Sequence, residues 1–395
     1  MLKTRLVAAA AAIAVVTTLA RAGAPCDGEA TPVPVRLMTL NVKEGIGAPG
    51  TSTALAIGSF CTINDVDGPG PNSGIAPDIV CLQECDQANF AHLSSFRDTY
   101  LPGYEIRTAS GDGFNFNAIL ISPAYTIVSY QNLSTSGPRN AVKVRLSIPG
   151  ADEDLIVYCS HFKAFTDAGS VAERTAEANQ LGQRAYADLQ AGGAHVVTLG
   201  DYNGHSTNTA IDASVAGVFT HSTLGVPTGL KNIAPEAIAG QGIGGPALIA
   251  TYPSLNSRLD YVCMDAELAA VFDTDSNGSF SQNEANSAGF VYWSGDDAGK
   301  LSNGNTTATS TASDHRPVVF NILLPGATGG VSCPGDLTGP TGKPDGVVDV
   351  DDLNVVLSSW SQSVSPCQGA DVTGDGQVDV DDLNAVLGSW GVPCP

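Results

Sequence analysis

Short apolar runs that stop at a polar residue set the rhythm of this chain as far as Leu324. Val33 to Asn41, Pro77 to Leu82, Asn117 to Ile121, Leu155 to Cys159, Val196 to Leu199, Arg258 to Val262 and Pro317 to Leu324 are too short for helices. Their β-branched and aliphatic content reads as strands. Tyr125 to Leu133 reads as a neighbouring strand, and Val142 to Leu146 alternates like a half-covered one. Two stretches carry helical spacing instead: Thr53 to Phe60, and Ala172 to Leu189, which leads directly into Val196. Residues 204 to 257 are rich in Gly, Ala and Pro and give weak signals.

The end of the chain has a different pattern. Val347 to Asn354 returns thirty residues later as Gln377 to Asn384, and Trp360 and Trp390 keep the same period. Leu353, Val356, Leu357 and Trp360 make one helical stripe, and Leu383, Val386, Leu387 and Trp390 its twin. So short a segment buries too little surface to fold unaided, so the two stripes are expected to pack on each other.

Composition places these elements. With 395 residues the chain can hold two domains. A basic start, an apolar run from Leu6 to Ala20 and the small-x-small site Ala20-Arg21-Ala22 read as a secretory signal peptide over 1–22, and no later stretch is expected to cross a membrane. The protein is therefore expected outside the cell, and nine cysteines suit that compartment. Cys81, Cys159 and Cys263 lie in strand-like runs and read as buried thiols. Cys26, Cys61 and Cys85 are the better bridge candidates, with Cys333, Cys367 and Cys394 in the tail. The formal charge of −22 opposes long-range attraction of polyanions but leaves room for one at a local, metal-loaded cleft. Much of the acidity is local: from Cys333 onward there are ten Asp, no Glu and one Lys.

The strand ends carry the chemistry. Asn41, Glu84, His161, Asp201, Asn203, Asp260, Asp314 and His315 all sit at the ends of these strand-like runs, Asp314 and His315 at the entrance to the last one. Polar groups just past a strand's end usually face a ligand crevice. Asp201 and Asn203, two residues apart after Gly200, could equally be a plain Asx turn. Two histidines with several acids and amides, gathered by unrelated strands, are the inventory of metal-assisted hydrolysis. The segments LN, QE, SHFK, GDYN, LDY and SDH, in that order over roughly residues 33 to 325, resemble the endonuclease/exonuclease/phosphatase superfamily of DNase I-like phosphodiesterases.

The resemblance implies a four-layer α/β/β/α sandwich of two mostly antiparallel sheets over 31–325. It also implies a Mg2+ or Mn2+ site at Glu84, with Asn41 and Asp314 in support. Asp201 would orient or deprotonate the attacking water, and Asn203 would hold a phosphate oxygen. Asp260 would fix the tautomer of His315, and His161 would act near the leaving group. Arg139 and Lys163 are weaker candidates for phosphate contact. His92, His195, His205 and His221 read as ordinary hydrogen-bonded histidines.

Three calcium loops are expected. Asp273 to Glu284 matches an EF-hand loop, with Asp273, Asp275, Asn277, Ser279 and Glu284 as ligands. It defines an EF-hand-like insertion over 265–288 that should lie near the catalytic face. After a linker at 326–332, the repeat over 333–395 is similar to a type I dockerin, a small all-α calcium-binding domain. Its second loop offers Asp371, Thr373, Asp375, Gln377, Asp379 and Asp382. The first offers Asp336, Thr338, Asp345, Asp349 and Asp352, with an insertion from Pro340 to Pro344. Calcium would offset repulsion among these acids. A cohesin-like partner follows from the resemblance alone.

The reading favoured by the residues is a secreted, metal-dependent phosphodiesterase acting on nucleic acid. A sphingomyelinase-like or phosphoinositide-type phosphohydrolase is the alternative among enzymes. A non-catalytic calcium-binding scaffold is the alternative from another class.

Overall fold

The structure is a computed structural model, and it describes residues 32–62, 77–206, 210–236, 250–292, 308–326, 335–338, 347–364, 369–373 and 375–391. The signal-peptide segment, Cys26, Asp345, the tail cysteines and most of the linker lie outside them. The chain divides into two compact units, one over Pro32–Gly326 and one containing the tail from Ala327.

In the larger unit the elements run β1 (Val33–Asn41), α1 (Ser52–Thr62), β2 (Ile79–Asp86), α2 (Phe90–Tyr100), β3 (Glu105–Thr108), β4 (Asn115–Ile121), β5 (Thr126–Leu133), β6 (Ala141–Ser147) and β7 (Asp154–His161). They continue as α3 (Ala168–Ala191), β8 (Ala194–Ser206), β9 (Leu230–Ile233), β10 (Arg258–Asp265), α4 (Ala266–Ala270), α5 (Gln282–Ala288), β11 (Gly289–Val291), α6 (Ala308–Ala312) and β12 (Val318–Leu324). One sheet has the order β11-β12-β1-β2-β4-β3, the other β5-β6-β7-β8-β10-β9. Each is antiparallel except for one central parallel pair, β1 with β2 and β7 with β8. Parallel neighbours need a crossover, and α1 and α3 supply it.

The apolar runs do not alternate with polar residues because both faces of each central strand are covered. Leu37, Ile79, Cys81 and Ile119 point into a core shared with Val144, Val157, Val197, Leu199 and Val262 of the other sheet. Their strand neighbours Met38, Leu40, Val80, Leu82, Ala118 and Leu120 pack outward on Ile57 and Phe60 of α1 and Phe96 of α2. On the far side Tyr158 and Val196 pack on Ala178, Leu181 and Ala185 of α3. Helix, sheet, sheet and helix are thus stacked, as two mostly antiparallel sheets were expected to be.

Several expectations need correction. Cys61 and Cys85, read as bridge candidates, are free and buried like Cys81, Cys159 and Cys263. Asp201 and Asn203 do not follow the end of a strand; β8 runs on through them to Ser206. The EF-hand-like loop is not near the catalytic face. It leaves β10 after Asp265, five residues beyond Asp260, or about 17 Å along an extended strand. Its flanking helices instead close the inter-sheet core with Leu268, Ala269, Phe272, Ala285 and Ala288.

The tail unit contains α7 (Val350–Ser358) and α8 (Val380–Gly388). Val348, Val356, Ala370, Val372, Val378 and Val386 form its core. The two stripes bury less of themselves than expected. Val356 and Val386 are fully inside, but Leu357, Trp360, Leu387 and Trp390 stay between 43 and 51% exposed. Helices of nine residues offer each other only about two turns.

Candidate active site

The site lies where the two central parallel pairs end. Asn41 closes β1, Glu84 stands near the end of β2, and His161 closes β7 beside Asp201 of β8. Asp260 enters β10 opposite Asp201, and His315 precedes β12. All but Asn41 and Asp260 line one cavity of about 670 Å³, together with Asn203 and Asp314.

Local backbone geometry aims these groups. The β2–β4 pairing slips between Leu82 and Cys85, and in that bulge Glu84 takes φ 59. The chain after β1 then curls over it with Lys43 at φ 48 and Glu44 at φ 58. The Lys43 N–H donates to Asn41 Oδ1 at 2.9 Å and the Glu44 N–H to Glu84 Oε2 at 3.2 Å. In β8, Gly200 has φ 146, and a Cβ there would lie 1.8 Å from the Ser160 carbonyl. Asn203 at φ 51 donates its N–H to Asp201 Oδ1 at 2.9 Å, so the Asx turn forms inside the strand and is part of the site.

The buried polar groups are paired across the two sheets. Asn41 Nδ2 donates to Glu84 Oε1 and to Asp201 Oδ2, both at 3.0 Å. Asp201 Oδ2 also lies 3.5 Å from His161 Nε2 and 3.7 Å from His315 Nε2. His161 Nε2 is 3.8 Å from Glu84 Oε1. Asp260 Oδ2 meets His315 Nδ1 at 2.8 Å, and Thr251 Oγ1 accepts the Asp260 N–H at 3.0 Å. The Tyr252 ring meets the His315 ring edge-on at 4.9 Å. Asp201, Asp260 and His315 also bring ligand-type atoms within 4.8 Å of one another.

These contacts set the charges. Burial pushes the Asp201 carboxyl up to about 7, with nearby Asp260 adding to it and His315 opposing. Burial works against a charged His315, yet the Asp260 and Asp201 carboxylates lift it to about 10. Burial drives His161 well below the ordinary imidazole range, and the Arg139 and His315 charges add to this. At neutral pH the cavity therefore presents one cationic and one neutral imidazole beside a carboxyl poised near neutrality.

Other expected residues sit elsewhere. Arg139 does not line the cavity: its Nη1 meets Asp112 Oδ2 and its Nη2 donates to the Phe162 carbonyl, each at 3.2 Å. Lys163 is also absent from the lining and faces Glu173 at 3.9 Å. Asp314 does reach the cavity but pairs with Lys43 Nζ at 3.1 Å. Asn41 turns its amide nitrogen to the acids, and Asn203 Nδ2 donates to the Phe162 carbonyl at 3.0 Å.

Lys43, Tyr252, Phe165 and His205 line the cavity without having been singled out for it. His205 had a signal: it continues the two-residue spacing of Asp201 and Asn203 along one strand. His195, set aside as structural, pairs with Asp265 at 3.3 Å, away from the cavity.

The profile of the Endonuclease/Exonuclease/phosphatase family matches residues 38–315. The chain belongs to this family. It is accordingly a hydrolase of phosphoric ester bonds. Among solved structures, the human Nocturnin catalytic domain with bound sulfate anion is 17% identical over 76% of this chain and 99% of its own, at TM-score 0.46. D. rerio TDP2 complexed with single strand DNA product is 16% identical, covering 73 and 98%, at 0.44. The family protein of Bacteroides vulgatus is 13% identical, covering 74 and 99%, at 0.47. No curated protein sequence matches.

In the EF-hand-like loop, Asp273, Asp275 and Glu284 bring carboxylate oxygens within 4.8 Å of one another. Glu284 accepts from Thr274 N and Oγ1 at 2.7 Å and from Ser281 N at 2.8 Å. The tail repeats this device: Asp382 accepts from Thr373 N at 2.8 Å and Asp379 N at 2.9 Å, and Asp352 from Thr338 N at 2.7 Å and Asp349 N at 2.8 Å. Asp371 takes the Gly376 N–H at 2.9 Å and Asp375 the Gln377 N–H at 2.8 Å. Asp336 is buried in the same unit.

Proposed function

We propose that this protein is a secreted, divalent-metal-dependent phosphodiesterase whose substrate is nucleic acid. The observation that carries the reading is the meeting of Glu84, His161, Asp201 and the Asp260–His315 pair at one cavity, drawn from both sheets. Glu84 presents carboxylate oxygens to that cavity, and no Lys or Arg among the described residues pairs with it. Such an oxygen donor fits a hard cation, and Mg2+ or Mn2+ would be held by Glu84 with Asp201 and Asp314 nearby. A bound divalent cation would neutralise phosphate charge and ease departure of the alkoxide.

The chain's own residues supply the rest. Asp201, held by Asn41 and the Asn203 backbone, would orient a water and take its proton. His315, kept cationic by Asp260, can donate from Nε2 to a phosphate oxygen. Neutral His161 stands within reach of the same atoms as a proton donor or acceptor at Nε2.

The loops at 273–284, 336–352 and 371–382 are proposed calcium sites, since each uses one terminal carboxylate to close the loop as the motif requires. The tail is proposed as a dockerin-like module. Its exposed Leu357, Trp360, Leu387 and Trp390 would meet a cohesin-like partner.

The test is hydrolysis of plasmid DNA, sphingomyelin and an inositol phosphate with magnesium, manganese and calcium compared. DNA cleavage that needs metal and disappears in a folded His315→Ala variant is the expected result. Turnover of only the lipid or the inositol phosphate would move the substrate class, and full activity of His315→Ala would move the site.

A further inference from the structure

The strap that follows His161 is held more firmly than a connection to α3 requires. The Phe162 carbonyl accepts from Asn203 Nδ2 at 3.0 Å and Arg139 Nη2 at 3.2 Å. The Lys163 N–H donates to Glu177 Oε2 at 2.6 Å. Arg174 Nη1 donates to the carbonyls of Lys163 and Phe165, each at 2.8 Å, while its Nε is anchored on Ser214 Oγ at 2.8 Å. Arg174 and Glu177 are buried to within 2%. The strap ends at Asp167, which caps α3.

All this fixes Phe165 at φ 75, a left-handed conformation that is unfavourable for a bulky residue. Phe165 is 71% exposed and lines the candidate cavity. An exposed phenyl contributes little to folding. Two buried ionisable side chains thus hold the strap, in a strained conformation, with Phe165 at the cavity.

The cavity's other residues narrow the partner. Among the described residues its only lysine is Lys43, already paired with Asp314, and the lining also carries Glu44 and Asp167. That is no track for a run of phosphates. An acyl chain wants a continuous apolar surface, whereas Phe165 is followed by Thr166 and Asp167, and among the described residues the other exposed apolar group of the lining, Leu255, comes from a separate turn. A flat group with polar edges suits a lone exposed ring best.

We infer that Phe165 is a stacking platform for one unpaired nucleobase of the substrate, so that the enzyme takes single strands or frayed ends ahead of duplex. Bases inside a duplex have no free face to offer until they are flipped or unpaired. The inference rests on the phosphodiesterase reading above and assigns its specificity.

Steady-state kinetics on one oligonucleotide, single-stranded and as duplex, test it with wild type, Phe165→Ala, Phe165→Trp and Phe114→Ala. Phe114 is 78% exposed but does not line the cavity, so it serves as the control. Phe165→Ala is expected to raise KM for the single strand about ten-fold, with Phe165→Trp restoring it, because one base stack contributes that much. The kcat of Phe165→Ala should stay within about two-fold, the signature of lost substrate binding. The same ten-fold or so weakening should appear in oligonucleotide anisotropy when Phe165→Ala is added to the inactive His315→Ala protein. Unchanged KM and unchanged anisotropy would overturn the platform while leaving the phosphodiesterase reading intact. A KM loss confined to sphingomyelin would overturn it in favour of a lipid. A wild type that cleaves no phosphodiester with any metal would sink both.

Discussion

Gly200→Ala is the substitution that this fold should tolerate least for its size. Gly200 pairs with Ser160, one step before His161 pairs with Asp201. Its φ of 146 is one that an L residue rarely adopts, and the added Cβ would lie 1.8 Å from the Ser160 carbonyl, where such contacts stay above 3.0 Å. The strands β7 and β8 must therefore part by about 1 Å at the point where they hold His161 against Asp201, and a misplacement of that size costs roughly 100-fold in rate. Backbone strain and overpacking together predict a loss of about 2–5 kcal/mol of stability. Urea unfolding gives the second quantity, and kcat/KM on DNA under native conditions gives the first. An alanine variant with an unchanged midpoint and unchanged kcat/KM would refute the geometry that places these two strands.

Calcium should raise the thermal midpoint of the tail, followed by the fluorescence of Trp360 and Trp390, and Asp382→Ala should abolish that rise at the second loop; a calcium-independent midpoint would remove the loops as ion sites. His195 makes the fold sensitive to pH away from the cavity. Burial opposes its charge, but the bond to Asp265 wins and raises its pKa, while burial of Asp265 is outweighed by the same bond and its pKa falls. The histidine's contribution is complete below its unfolded value and fades as pH rises through the folded one; the aspartate's fades as pH falls through its depressed value. His195→Gln should therefore cost more stability near pH ~5.5 than near pH ~8.5, and equal urea midpoint shifts at both would contradict the pairing.

The site was readable because its groups border or interrupt apolar runs that must be buried: Glu84 follows Ile79 to Leu82, and His315 precedes Val318 to Leu324. What aims them was not. The bulge that turns Glu84 and the left-handed Lys43 and Glu44 depend on contacts between β2, β4 and the loop after β1, which no local pattern encodes. Arg139 was misplaced for the same reason: a cation near an active-site strand looks free until Asp112, from a distant loop, is seen to hold it. The long Ala172 to Leu189 pattern predicted α3 well, yet α2, β3, β9 and β11 left no clear trace. The three strands are only three or four residues long and lie at the sheet edges, where few buried positions impose a period, and α2 buries only Leu93 and Phe96. In the tail Leu353, Val356 and Leu357 and their twins lie on helices, but Trp360 and Trp390 fall just past the helix ends, because helix length decides how far a stripe extends and spacing alone does not reveal that.

Asn41, Glu84 and His315 ride on one sheet; His161, Asp201, Asn203 and Asp260 ride on the other. Neither half of the sandwich is a weaker version of the whole catalyst, because neither owns both sides of the reaction. The apolar seam between the layers acts as a jig: it sets the gap across which a proton must pass. A slip along that seam would silence the chemistry while every ladder of strand pairing stayed intact.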